Sequence, residues 1–415
     1  MGLEDKNSGR RESIYACNFK YSEETVMKRQ AGFTMVELMV TMVVFVITIA
    51  AASQIFTRLL TQFKQQSKIA ETNIEGIVGL EILRQDIAHA GLGLPWNVTG
   101  IADTNGDGVI NFSDNVPGYT ETGDPIYAAY NDAPNNPPSA FRSGDGATAG
   151  GSDYLVIKSA SAATTSTAGK NTRLTSSAPF VRTWTLYTDD LSNTDRVIVL
   201  SPGATDANSR SLVVNGGSYH TQYSMVAAYA PADNTDVRLV YGISAANAAN
   251  SLRAPFNRAD YYISSANLPS RCATGTGVLN KATLNQDTAA ASEFTEMPIL
   301  DCVADMQVIY SLDNDENGYF ENGIGGDAYT NSLVGLTPLQ IRTRVKEVQV
   351  YILAHEGQRD TKFTFNNFTA GACATCVRVG RSAVLGRDFD LSVITDYLNY
   401  RWKIYTMSVR TDNLR

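Results

Sequence analysis

The chain has 415 residues, 43% hydrophobic and 18% charged, a balance that supports a packed core and excludes a disordered polyelectrolyte. With 34 Lys+Arg against 42 Asp+Glu the formal net charge is -8, which argues against a nucleic-acid binder, a class that needs a basic face. The three histidines, His89, His220 and His355, lie far apart without metal-type spacing. No GxSxG elbow, P-loop or HExxH motif occurs, so no catalytic machinery is expected.

All 13 prolines fall at or beyond Pro95. A proline-free opening of that length permits one very long helix, because nothing in it removes a backbone donor or forces a break. Residues 38–57 carry no charge, and at ~1.5 Å per residue they reach ~30 Å, the thickness of a bilayer's hydrocarbon core. Lys28 and Arg29 stand before this run, which places the N-terminus in the cytoplasm and the remainder across the membrane. The apolar run passes straight into RLLTQFKQQSKIAETNIEGIVGLEILRQDIAHA, which keeps helical character, so a retained anchor is expected rather than a cleaved secretory signal. Glu37 is out of place in an ordinary anchor, since a carboxylate near lipid is costly unless it is paired or solvated at the interface.

Gly32-Phe33-Thr34-Met35-Val36-Glu37-Leu38, preceded by Lys28-Arg29-Gln30-Ala31, resembles the type III signal of type IV prepilins. The resemblance implies a cut between Gly32 and Phe33 by the prepilin peptidase, methylation of Phe33, and an assembly role for Glu37. The new amine on Phe33 can meet the Glu37 carboxylate of a neighbouring subunit, so that each charge offsets the other's burial. Residues 1–32 would then be the leader. A leader of that length is long for the class, and translation from Met27 would give a conventional one; Cys17 lies in it and would be absent from the mature protein. The proline that many major pilins carry in the membrane half of the helix does not occur here.

The long pilin helix is expected over 33–95, with Leu59, Phe63, Ala70, Ile74, Ile77, Leu83 and Ile87 as its buried face against a sheet. Gly76 and Gly79 disfavour a coiled-coil seam. The stop is expected near Gly91-Leu92-Gly93-Leu94-Pro95. Beyond it, strands are predicted at Tyr154–Lys158, Thr183–Tyr187, Arg196–Leu200, Ser211–Val214, Val237–Val240, Met306–Tyr310, Val345–Leu353 and Trp402–Val409. The stretches 117–152 and 159–180 read as loops. VKEVQVYILAHEG and the closing YRWKIYTMSVRTDNL look like the finishing strands of PilW-type minor pilins, and LRQDIAHAGLG like the end of their long helix. The fold class that follows is α+β: a long helix packed on an antiparallel sheet, with 296–415 as the pilin-like sheet region and 96–295 as a large β- and loop-rich insertion or second lobe.

Two loops have calcium-type spacing. Asp103, Asn105, Asp107, Val109, Asn111 and Asp114 fit DxNxDGxIxxxD, in which oxygens at positions 1, 3, 5 and 12, the carbonyl at 7 and a glycine at 6 suit a hard cation. The competing reading is an Asx-rich turn. A weaker copy is Asp313, Asp315, Asn317, Tyr319 and Glu321; its position 12 is Ile324, which cannot coordinate, and Asp327 is the substitute further on. Calcium is the one cofactor expected.

Cys373 and Cys376 form a lone CxxC without the further ligands that zinc needs. In an oxidising compartment Cys272, Cys302, Cys373 and Cys376 allow three pairings. Sequence separation favours Cys272–Cys302 with Cys373–Cys376.

The resemblance implies a non-catalytic minor pilin that helps start assembly of a type IV pilus and sits at or near its tip. Its partners would be other major and minor pilins, the prepilin peptidase and the inner-membrane assembly platform. It would cross the inner membrane once, with the globular part periplasmic, and then move into the extracellular pilus. One alternative is a minor pseudopilin of a type II secretion system, which shares the signal and the helix. Another is a membrane-anchored adhesin or carbohydrate-binding protein that uses the large middle block.

Overall fold

A computed structural model describes residues 32–99, 137–148, 150–203, 210–246, 252–254, 256–369 and 373–414. The elements in chain order are helix α1 (Met35–Ala88) and strands β1 (Asn97–Thr99), β2 (Phe141–Gly144), β3 (Tyr154–Ser159), β4 (Asn171–Leu174), β5 (Arg196–Ser201), β6 (Ser211–Val213), β7 (Thr221–Gln222), β8 (Arg238–Ser244), β9 (Asn257–Ser264), β10 (Gly277–Leu284), β11 (Phe294–Leu312) and β12 (Ala328–Thr330). Helix α2 (Pro338–Arg344) follows, then β13 (Val345–Glu356), β14 (Cys376–Gly380), β15 (Gly386–Asp390) and β16 (Arg401–Arg410). A long helix with mostly antiparallel sheets makes the class α+β, as its composition and patterning predict.

The chain divides into two compact units, 1–61 and 62–415. In the first, every described side chain from Gly32 to Thr61 is exposed. The second is built on an eight-stranded antiparallel sheet in the order β16-β13-β11-β10-β9-β3-β2, with β12 added beside β11. β11 carries the sheet across its middle by changing partner along its length: its first half pairs with β10, its second with β13, and Val303 belongs to both ladders. The exchange is made through register shifts on either side of Cys302, which adopts φ 58. Such bulges bend a strand and let it follow two neighbours.

A second sheet, β1-β6-β5-β8-β4 with β7 beside β5, has one parallel pair, β1 with β6. The alternation in β5 gives it two buried faces: Ile198 and Leu200 join the main core, whereas Val197 and Val199 pack with Leu174, Val226 and Val240 under the 3-10 turn Tyr223–Tyr229. The hairpin β14–β15 forms a third small core through Val377, Val379 and Phe389 against Leu353 and Trp402. α2 begins with a reciprocal cap, Gln340 N–H to Thr337 Oγ1 and Thr337 N–H to Gln340 Oε1, with Pro338 in its first turn.

Several expectations need correction. Thr183–Tyr187 is not a strand. The Trp184 N–H donates to Asp190 Oδ1 and its indole Nε1–H to the Asn171 carbonyl, both at 2.8 Å, so this segment wraps locally instead of joining a ladder. The stretches read as loops contain β2 and β4, which are short. The longest strands that patterning missed, β9 and β10, are buried on both faces yet carry Asn257, Arg258, Asp260, Asn280 and Lys281, so the usual alternation of apolar and polar residues is absent. The boundary expected at 295/296 does not divide the main sheet: β2, β3, β9 and β10 come from the middle block and pair in one ladder with β11, β13 and β16. What the middle block builds by itself is the second sheet.

Candidate functional site

The exposed opening of α1 starts with a reciprocal cap. Thr34 Oγ1 accepts from the Glu37 N–H at 3.2 Å, and the Thr34 N–H donates back to Glu37 Oε2 at 3.2 Å. This is a capping box, in which the carboxylate three residues on satisfies an orphan donor and sits at the positive end of the helix dipole. Glu37 therefore holds the first turn of the helix within this chain, through Oε2. Gly32 and Phe33 precede the cap, and Phe33 is 81% exposed. The helix that follows is long and apolar enough to cross a membrane.

From Thr72 the same helix is seated. Thr72, Gly76, Gly79, Leu83, Asp86 and Ala90 are buried, a four-three spacing that lays one seam along the helix, with Ile87 beside it. Two glycines occupy the seam where the helix crosses β11. A Cβ on Gly79 would lie 1.8 Å from the Ile299 carbonyl oxygen, and one on Gly76 would lie 3.2 Å from Leu300 Cδ1. The backbones meet at a distance that no larger residue permits at position 79. The face expected from hydrophobicity is different: Phe63, Ile74 and Ile77 are 69%, 64% and 65% exposed, and of that list Leu83 and Ile87 alone are fully buried. Close approach selected the small residues, and Ile74 and Ile77 were left outside.

Polar contacts fix the register of the seam. Lys281 Nζ on β10 lies 2.5 Å from Asp86 Oδ2, and the Tyr261 hydroxyl on β9 donates to the same oxygen at 2.5 Å. Burial, together with the Asp86 charge, pushes the Tyr261 phenol well above its usual range, so it stays a donor. At the other end the Gly357 N–H donates to Thr72 Oγ1 at 3.2 Å, and Lys403 Nζ reaches both Asn73 Oδ1 and Glu356 Oε1. Past the last turn the Asn413 side chain donates to the Ala88 carbonyl at 2.8 Å, and the chain then turns at Gly91 with φ +84. None of Gly79, Asp86, Tyr261 and Lys281 stands out by residue type. The signal that could have found the helix members is the seven-residue interval of Thr72, Gly79 and Asp86.

The calcium-type loop at Asp103, Asn105, Asp107, Val109, Asn111 and Asp114 lies outside the described residues. The second loop is described. Ligand atoms of Asp313, Asp315 and Asp327 lie within 4.8 Å of one another, so the chain does bring the more distant Asp327 to the loop. Asp313 accepts from the N–H groups of Asn317 and Gly318, and Asp327 from those of Asn314 and Glu321. The Asn317 side chain bridges Asp315 Oδ2 and the Tyr319 N–H. Lys346 Nζ stands 3.1 Å from Asp313 Oδ2. Burial opposes ionisation of Asp313, but Lys346 and the Gly318 N–H outweigh it and hold the carboxyl below the usual range. The loop is thus a carboxylate turn already braced by backbone donors and one lysine.

Cys272 is bonded to Cys302, and Cys373 to Cys376. The first pair also lies near His355, whose Nε2 accepts from the Ala273 N–H at 2.9 Å. Burial pushes the His355 imidazole down to about 4, so it is neutral at physiological pH, and with both sulfurs bonded to each other this group offers no thiolate to a metal.

Comparison with known proteins gives one family match: residues 27–53 fit the prokaryotic N-terminal methylation motif. The comparison with curated proteins returns no match. Among solved structures, a type IV-like pilin from Thermus thermophilus, 15% identical, overlaps 39% of this chain and 80% of its own, with a TM-score of 0.19. An overlap that slight carries no argument. The motif match covers Gly32, Phe33 and Glu37 and most of the apolar run behind them, and it supports a type IV pilin-like reading of a chain with one membrane-length helix among its described residues.

Proposed function

We propose that this protein is a minor pilin: a non-catalytic subunit, held in the inner membrane by α1, that helps begin assembly of a type IV pilus and stays at or near its tip. The observation that carries the proposal is the methylation motif at 27–53 with Glu37 four residues after Phe33. Cleavage after Gly32 turns Phe33 into a cationic terminus beside a carboxylate, and in a bundle of parallel helices that amine pairs with a neighbour's Glu37. Lys28 and Arg29 keep the leader in the cytoplasm, where the prepilin peptidase and the assembly platform would meet it. The PilW-type assignment rests on the resemblance of the closing strands. Calcium at the Asp103 and Asp313 loops belongs to the same proposal, as a cation that neutralises clustered carboxylates on an exported domain.

Glu37 has two duties in this reading, capping its own helix and pairing with a neighbour, and two substitutions separate them. Glu37→Gln keeps an acceptor for the Thr34 N–H but removes the charge, whereas Glu37→Ala removes both. Both variants should insert and be cleaved, and both should copurify poorly with the other pilins. Normal incorporation of Glu37→Gln would sink the charge-pairing mechanism and leave Glu37 as a helix cap.

A further inference from the structure

The second sheet, which the middle block builds by itself, carries a solvent-open cleft beside its last strand, β4. The cleft holds about 420 Å³, within the range of small-molecule sites. Ala168, Gly169, Lys170 and Asn171 line it from the chain that enters β4, and Trp184 and Asp189 from the segment that wraps beside that strand.

Trp184 is 37% exposed, whereas Trp402 is 8% exposed and packed in a core. The exposed indole is nonetheless fixed in place. Its backbone N–H donates to Asp190 Oδ1 and its ring Nε1–H to the Asn171 carbonyl, both at 2.8 Å. The Arg182 guanidinium lies over the ring, 4.7 Å from its centre, and engages one face. With its single donor spent on Asn171 and one face on Arg182, the indole has its other face to offer a ligand.

The rest of the lining is polar and of mixed charge. Lys170 Nζ donates to the Asp190 carbonyl at 3.0 Å, and an ammonium carries two further donors. The Asn171 side chain is exposed and donates to the Gly169 carbonyl at 3.2 Å, with its amide oxygen as an acceptor. Asp189 is exposed and accepts from the Thr188 hydroxyl at 3.4 Å. Lys170 and Arg182 disfavour a cationic ligand here, and Asp189 with the net charge of -8 disfavours an anionic one.

We propose that the Trp184 cleft is a carbohydrate subsite, in which a neutral pyranose ring stacks one face on the indole and turns its hydroxyls to Lys170, Asn171 and Asp189. A pyranose chair presents C–H bonds on its flat faces and hydroxyls around its edge. That dual character matches a flat apolar platform rimmed by donors and acceptors. A purely apolar ring would cover the same platform but leave the rim groups without partners, which costs affinity. The subsite rests on residues 168–190 and not on the assembly role, so failure of either leaves the other standing.

The test is saturation-transfer NMR on the full chain in a detergent without a sugar headgroup, with cellotetraose, maltotetraose and chitotetraose as probes. At least one should receive saturation, strongest at its ring C–H protons, and should change the tryptophan emission in a saturable way. Trp184→Ala should weaken that binding by about tenfold or more, and Trp184→Phe, which keeps a smaller ring, by less. Transfer to none of the three probes, or equal affinity in wild type and Trp184→Ala, would overturn the proposal. If Trp184→Ala does not fold, emission decides the matter in Trp184→Phe. There the sugar-induced change should vanish, and its persistence would place the sugar elsewhere and overturn the proposal.

Discussion

Between Met35 and Thr61 every side chain of α1 is exposed, although most are Val, Ile, Leu, Met and Phe; between Thr72 and Ala90 the buried positions include Thr, Gly and Asp. One continuous helix thus meets its surroundings by opposite rules. A helix apolar all round has no preferred side and suits lipid or a bundle of like helices. The seated part has a partner of fixed shape, and there contact distance decides burial. Glycine gives the helix its approach to β11, and Asp86 is accepted because Lys281 and Tyr261 are waiting for it. Hydrophobicity marks the first half as apolar all round and misplaces the buried face, since Leu59, Phe63, Ile74 and Ile77 are exposed.

The largest effect expected from this contrast lies at the ion pair. Lys281→Ala leaves the Asp86 carboxylate buried with Tyr261 as its remaining partner, and stranding one member of a buried pair costs about 3–5 kcal/mol. Urea unfolding should show a loss of that size in the globular unit, and a loss below ~1 kcal/mol would mean that the pair is solvated and does not seat the helix. Gly79→Ala comes next. Its Cβ would fall 1.8 Å from the Ile299 carbonyl oxygen, and overpacking of this kind costs roughly 1–3 kcal/mol, only partly offset by the ~1 kcal/mol gain in helix propensity. Melting should fall by several degrees; an unchanged or raised melting temperature would break the close-contact account.

Ile77→Ser sharpens the same comparison from the other side. The residue is 65% exposed, so stability should stay within about 0.5 kcal/mol. If the outer face is kept for neighbouring helices, the variant should nonetheless copurify less with partner pilins. The smallest effect concerns calcium. At ten times Kd, a cation bound only to the folded form stabilises it by about 1.4 kcal/mol. Thermal melting of wild type in millimolar calcium should exceed melting in excess chelator by a few degrees, and Asp103→Ala with Asp107→Ala should remove most of the difference. Equal melting of wild type in both buffers would leave both motifs as Asx-rich turns, of which the second is braced by backbone donors on Asp313 and Asp327.

Much of the architecture is legible in the residues. The absence of proline before Pro95, the charge-free run at 38–57 and the Gly-Leu-Gly-Leu-Pro stop together mark a helix that does run to Ala88. The alternation of Val348, Val350 and Ile352 marks a central strand, because those positions share the face that packs on the main core. The same reasoning fails at β9 and β10, where Arg258 pairs with Asp260 and Lys281 with Asp86 in the interior. A buried charge looks like a surface charge until its partner is known, and these partners lie on the same strand or on a distant element. The motif at Gly32, Phe33 and Glu37 is local and needs no fold to be read. The capping of Thr34 by Glu37 is equally local, a Thr-x-x-Glu spacing just ahead of an apolar run.

The measurement that bears most directly on the account is the mass of the mature N-terminus. Protein extracted from the membranes of its own host and digested without acid cleavage should give a terminal peptide that begins at Phe33 and carries one added methyl group. A mature chain that still begins upstream of Gly32, with Lys28 and Arg29 attached, would contradict the reading of α1 as an assembly helix.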